Sequence, residues 1–119
     1  MTNREFVRLV RRAYQELPRE VLQALDNVDV AVEEWPGPEE KDLIGGDETL
    51  FGLYSGVPLT EREGGGLMFP DRIVIYRQPI LRSCSSRTEA EREIKVTLRH
   101  EIGHYLGMSE DDLHRLGYG

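Results

Sequence analysis

The run His100-Glu101-Ile102-Gly103-His104 constrains this chain more than any other five residues. Two histidines four positions apart converge on one point only if the segment is α-helical, because residues at that spacing lie about 40° apart around the helix axis. The sequence around the run supplies the helix. Ser86 with Glu89, or Thr88 with Glu91, can form a capping box at its start, and Gly107 is a natural stop. Between these ends Ala90, Ile94, Leu98, Glu101, Ile102 and Tyr105 fall on one side, so an apolar stripe faces a core. His100 and His104 lie on the flank of that stripe, where a ligand pair can meet solvent.

The pattern has a specific chemistry. Two neutral imidazoles and a third protein ligand hold Zn²⁺ with one coordination position left over, and a water there has its pKa lowered towards neutrality. Glu101 stands next to the first histidine as general base for that water, and as the later proton donor to a leaving amine. This is the chemistry of peptide-bond hydrolysis, with His100 and His104 as metal ligands and Glu101 as the catalytic residue.

A third ligand has to come from elsewhere, and fifteen residues follow His104. A glycine turn just after the helix, as in HExxHxxGxxH, returns a ligand six residues after the second histidine. Gly107 stands at that turn and Glu110 at the final position. Asp111 and His114 are the alternatives, as are a partner chain and solvent, since acids in a first helical turn are also favoured by the helix dipole. Tyr105, Tyr118 and His114 are the nearby candidates for stabilising an oxyanion, with Tyr105 on the core-facing stripe.

With 119 residues the chain is expected to form one domain around one core, spanning residues 1–119. Thr2 and Glu5 can cap a first helix carrying Phe6, Leu9, Val10, Ala13 and Leu17 at helical spacing up to Pro18. Arg19 to Leu25 reads as a short second helix. Val28, Val30 and Val32 alternate with Asp29, Ala31 and Glu33 as a half-buried strand, and Leu50 to Tyr54 and Ile73 to Tyr76 give further strands, with Leu67 to Phe69 as an optional one. Gln78-Pro79 is expected to end the last strand before the motif helix, and Ser109 to cap a last short helix through Leu116. The order predicts an α+β layer, a small mixed or antiparallel sheet covered by helices.

A net charge of -7 argues against nucleic acid as the main partner. The exception is local: Arg4, Arg8, Arg11 and Arg12 cluster on the first helix and read as a solvated face. Cys84 is the single cysteine, so no internal disulfide can form, and its expected role is structural. The arginine-rich N-terminus has no uninterrupted apolar segment, so neither a signal peptide nor a membrane span is expected, and the cytoplasm is the default location. The triple glycine Gly64 to Gly66 lacks the lysine and hydroxyl of a phosphate loop; a flap over the site could hinge there.

HEIGHYLGMSEDDL at 100–113, LFGLYSGVPLTER at 50–62 and PDRIVIYRQPI at 70–80 together resemble the small bacterial zincin-like metallopeptidases, or minimal zincins. The HExxHxxG core is shared with many zincins, and the two middle segments narrow the match. The resemblance implies a reduced zincin fold with the motif helix supplying His100, Glu101 and His104. It also implies zinc as cofactor, with an acidic third ligand after the glycine turn at the place Glu110 holds. With so few residues after Gly107 the lower side of the cleft is expected to be shallow, which would suit a peptide or protein substrate lying extended along a strand, and a protein partner that completes the cleft. The competing expectation is a non-catalytic module that binds a peptide or protein on the same fold, with a structural metal or none.

Overall fold

In the computed structural model, residues 1–25, 27–38, 50–56, 71–109, 111 and 115 are described. Helices α1 (Asn3–Gln15) and α2 (Arg19–Ala24) are followed by strands β1 (Val28–Glu33), β2 (Gly52–Ser55) and β3 (Asp71–Tyr76). Helices α3 (Arg77–Ser83) and α4 (Arg87–Tyr105) complete the sequence of elements. The sheet is mixed, as the sequence allowed, with the order β1-β3-β2. β1 runs parallel to β3 with Val30 opposite Ile73, and β2 runs antiparallel to it with Tyr54 opposite Ile73. The architecture is an α+β layer.

β3 is central because its sequence suits no other place. Ile73, Val74, Ile75 and Tyr76 are all buried, so both faces of the strand are covered, the pattern of a strand with neighbours on each side and layers above and below. Ile73 and Ile75 face a core shared with Phe6, Leu9, Val10 and Ala13 of α1, Ile80 of α3, and Ile94, Leu98, Ile102 and Tyr105 of α4. Val28, Val30 and Val32 pack against this core from β1. The outer side of α1 carries Arg4, Arg8, Arg11 and Arg12, all exposed, as a solvated face requires.

The helix ends follow their expected signals. The Thr2 hydroxyl accepts from the Glu5 N–H at 3.1 Å and opens α1. Of the two possible caps for α4 the structure uses Ser86, whose Oγ accepts from the Glu89 N–H at 3.1 Å, while the Glu89 carboxylate reaches back to the Ser85 N–H at 2.7 Å. At the other end Gly107 takes a positive φ of 77°. Its N–H donates to the His104 carbonyl and the Met108 N–H to the Gly103 carbonyl, the paired bonds of a Schellman stop.

One expectation needs correcting. Gln78-Pro79 does end the strand, but as part of a helix, since α3 runs Arg77–Ser83 with Pro79 and Ile80 buried. Proline is tolerated there because the N–H groups of a first turn have no intrahelical acceptor to lose. The turn is tied to the end of β1, as the Gln78 N–H donates to the Glu34 carbonyl at 3.0 Å and Arg77 pairs with the Glu34 carboxylate at 2.5 Å. The optional strand at Leu67 to Phe69 and the glycine run at 64–66 lie outside the described residues, and of the last short helix only Asp111 and Arg115 are described, both helical. Among the described residues no helix is long and apolar enough to cross a membrane.

Cys84 is half-buried between α3 and α4. Burial pushes its thiol above the usual range, with the carboxylates of Glu93 and Glu89 adding to the effect. That keeps it in the inert thiol form at neutral pH.

Gly107→Ala should lower stability by about 1 kcal/mol, because an L-residue is strained at this φ. Thermal unfolding followed by circular dichroism is expected to shift down by a few degrees, with helix content otherwise retained.

Candidate metal centre

The motif occupies the last turn and a half of α4, so the helix itself sets its geometry. His100 and His104 stand one turn apart, with ring centroids 4.5 Å from each other and planes at 62°. Both are partly exposed, whereas Glu101 between them is only 6% exposed. The difference follows from the stripe: Glu101 falls on its edge and turns inward under the sheet, while the histidines stay at its rim.

What Glu101 meets there is the edge of β2. Tyr76 donates its N–H to the Phe51 carbonyl at 2.8 Å, which starts the ladder between β2 and β3. Backbone groups alternate along a strand, so Phe51, Leu53 and Ser55 point theirs at β3, and Gly52 and Tyr54 point theirs outward. The outward N–H of Tyr54 donates to Glu101 Oε1 at 2.9 Å. The same oxygen lies 3.5 Å from His104 Nδ1. The carboxylate is thus fixed by a main-chain donor from a different element, with its rotamer set by burial.

This contact depends on how closely β2 lies on α4. A Cβ on Gly52 would stand 2.6 Å from Thr97 Cγ2, 3.1 Å from the Val74 carbonyl oxygen and 3.4 Å from Glu101 Cγ. Only glycine allows the strand this near. Two positions on, the Tyr54 ring packs edge-on against Tyr105, with centroids 5.8 Å apart and planes at 70°, and its hydroxyl donates to buried Asp71 at 3.1 Å. Tyr105 in turn donates its hydroxyl to the Ala24 carbonyl at 3.0 Å. It is 3% exposed and serves the core, so of the three candidates for an oxyanion donor it is removed. Tyr118 and His114 lie outside the described residues, as does Glu110.

The ligand atoms of His100, Glu101 and His104 all lie within 4.8 Å of one another. Among the described residues these are the groups brought together; Asp111 is exposed and is not one of them. Two imidazole nitrogens that approach from one helix face, backed by a carboxylate, are a donor set that suits a divalent ion of zinc's preference. Sequence reasoning named these three residues and passed over Gly52, Thr97 and the Tyr54 N–H. One signal was available, because a glycine inside a strand pattern marks close approach by another element.

An α+β layer with such a cluster on the helix beneath its sheet edge defines a class of metal-site protein. Residues 25–119 match the model of the zincin-like metallopeptidase family, and the chain belongs to that family. Membership implies a metal ion. A solved structure of a conserved hypothetical protein from T. thermophilus is similar to it, with 28% identity and a TM-score of 0.63 over 89% of this chain and 94% of the other. No curated protein matches the sequence.

Gly52→Ala should push β2 off α4 and break the Tyr54–Glu101 contact, at a cost of about 1–3 kcal/mol. Urea unfolding would read the loss. Adding Thr97→Ser, which removes the methyl in the way, should recover a large part of it.

Proposed function

We propose that the protein is a zinc-dependent peptidase in which His100, His104 and Glu110 hold the ion and Glu101 is the general base. The observation that carries this reading is the orientation of Glu101: buried, one helical position from His100, and held at Oε1 by a strand N–H. When bound, zinc lowers the pKa of water and polarises a carbonyl.

Everything else falls to residues of the chain. With Oε1 engaged by the Tyr54 N–H, Glu101 accepts the proton of the attacking water at Oε2 and delivers it to the leaving amine. Burial on the sheet side keeps that carboxylate from swinging away between the two transfers. The substrate lies extended beside β2, where Gly52 turns its backbone groups outward, so that peptide hydrogen bonds place the scissile carbonyl above His100 and Glu101. The space available is modest. A pocket of about 280 Å³ between β2 and α4 is lined by Leu50, Phe51, Gly52, Glu93, Val96, Thr97, His100 and Glu101. A site of this size orients one side chain and not a long stretch of substrate, which suits slow, selective cleavage.

The alternative, a binding module without catalysis, uses the same residues and differs in outcome. Protein purified from zinc-containing medium should carry one zinc by elemental analysis, and His100→Ala should lose it. Glu101→Gln is expected to keep the metal and to lower peptide hydrolysis by about 10²–10⁴-fold. Undiminished hydrolysis in that variant would remove Glu101 from the mechanism. Metal bound by the wild type with no cleavage across a peptide library would favour the binding module.

A further inference from the structure

The pocket beside the metal centre has a chemical polarity that the proposed reaction does not use. Its walls are apolar where Leu50, Phe51 and Val96 line it, and its far end carries a carboxylate, Glu93. Glu93 stands seven residues before His100 on the same helix, which at 1.5 Å per residue is about 10 Å along the axis. A side chain entering from the scissile bond therefore passes apolar surface first and meets a negative charge at the end.

Glu93 is prepared for that meeting. It is half-buried, and Thr97 Oγ1 donates to its Oε1 at 3.3 Å, which steadies the carboxylate. Among the described residues lining the pocket, the charged side chains are Glu93 and Glu101, and none is lysine or arginine. Of the basic residues on α4, Lys95 faces Glu16 at 3.3 Å and Arg87 lies near Glu5 and Glu91 at 3.7 and 3.6 Å, while exposed Arg92 and half-buried Arg99 are not among the residues that line the pocket. The net charge of -7 adds a field that draws cations towards the protein.

We propose that this pocket receives a lysine or arginine side chain of the peptide substrate, with Glu93 as the residue that selects it. The assignment rests on the peptidase reading for its position beside the scissile bond. Long basic side chains have the required form, an apolar stem that covers Leu50, Phe51 and Val96 and a cationic head that pairs with a carboxylate. An acidic side chain would be repelled at the same place, so the pocket discriminates in both directions.

The test uses matched fluorescent peptides that differ in a single residue, lysine, norleucine or glutamate, with that residue placed at each position in turn. For zinc-loaded wild type, kcat/KM at one position should rank lysine over norleucine over glutamate, with roughly tenfold between the first two. Glu93→Gln should collapse the lysine-to-norleucine ratio towards one, and Glu93→Lys should place glutamate above lysine. Equilibrium binding of the same peptides to Glu101→Gln, read by fluorescence anisotropy, should follow the wild-type ranking and lose it when Glu93→Gln is added. Cleavage with no ranking, or a ranking that survives Glu93→Gln, overturns the pocket assignment and leaves the peptidase reading standing. Ranked binding without any cleavage by the wild type does the reverse. Absence of both binding and cleavage overturns the two together.

Discussion

The contact on which this molecule turns is the approach of β2 to α4 at Gly52. A strand can lie so near a helix only where a side chain is missing, and the missing Cβ leaves Thr97 and the stem of Glu101 against bare backbone. That closeness brings the outward N–H of Tyr54 within 2.9 Å of the Glu101 carboxylate. A buried carboxylate without such a donor would carry a desolvation cost of several kcal/mol. With it, the acid is both tolerated in the interior and held in one orientation. Packing and site chemistry are one interaction here.

The motif helix serves two masters along its length. Its inner stripe, Ile94, Leu98, Ile102 and Tyr105, belongs to the main core, while His100 and His104 stand on the rim of the same turns. The last turn is pinned from both sides: the Tyr105 hydroxyl reaches the end of α2 at Ala24, and its ring meets Tyr54 of β2. Helix ends ordinarily fray. This one is locked by a tyrosine that points away from the site and by the glycine stop at Gly107, so the histidines are carried on a rigid support.

Much of this was legible from residues alone, and the reasons differ by element. Caps and stops are local, so Thr2, Ser86 and Gly107 announced their helix ends without help from tertiary structure. The central strand was legible because Ile73 to Tyr76 is apolar without interruption. α3 was not, because Pro79 reads as a break unless its place in a first turn is known, and that place depends on the anchoring of Arg77 and Gln78 to Glu34 across the sheet. The three motif residues came directly from their spacing. The donor that orients Glu101 did not, since a main-chain N–H has no side-chain identity to read. The geometry of the third ligand expected at Glu110 lies outside the described residues.

The parallel pairing of β1 with β3 joins Val28, in the first half of the chain, to Asp71, in the second. Among the described residues β2 has no other strand neighbour than β3, so the edge that holds Glu101 exists only once β3 is in place. Contacts between segments so distant in sequence carry a loop-closure cost that local contacts do not, and they slow folding. The helix with its histidines is bounded by local signals at Ser86 and Gly107, whereas the strand edge that completes the cluster depends on these distant pairings. Whatever loosens β3 thus loosens the anchor of the Glu101 carboxylate, while the two imidazoles keep their spacing on the helix.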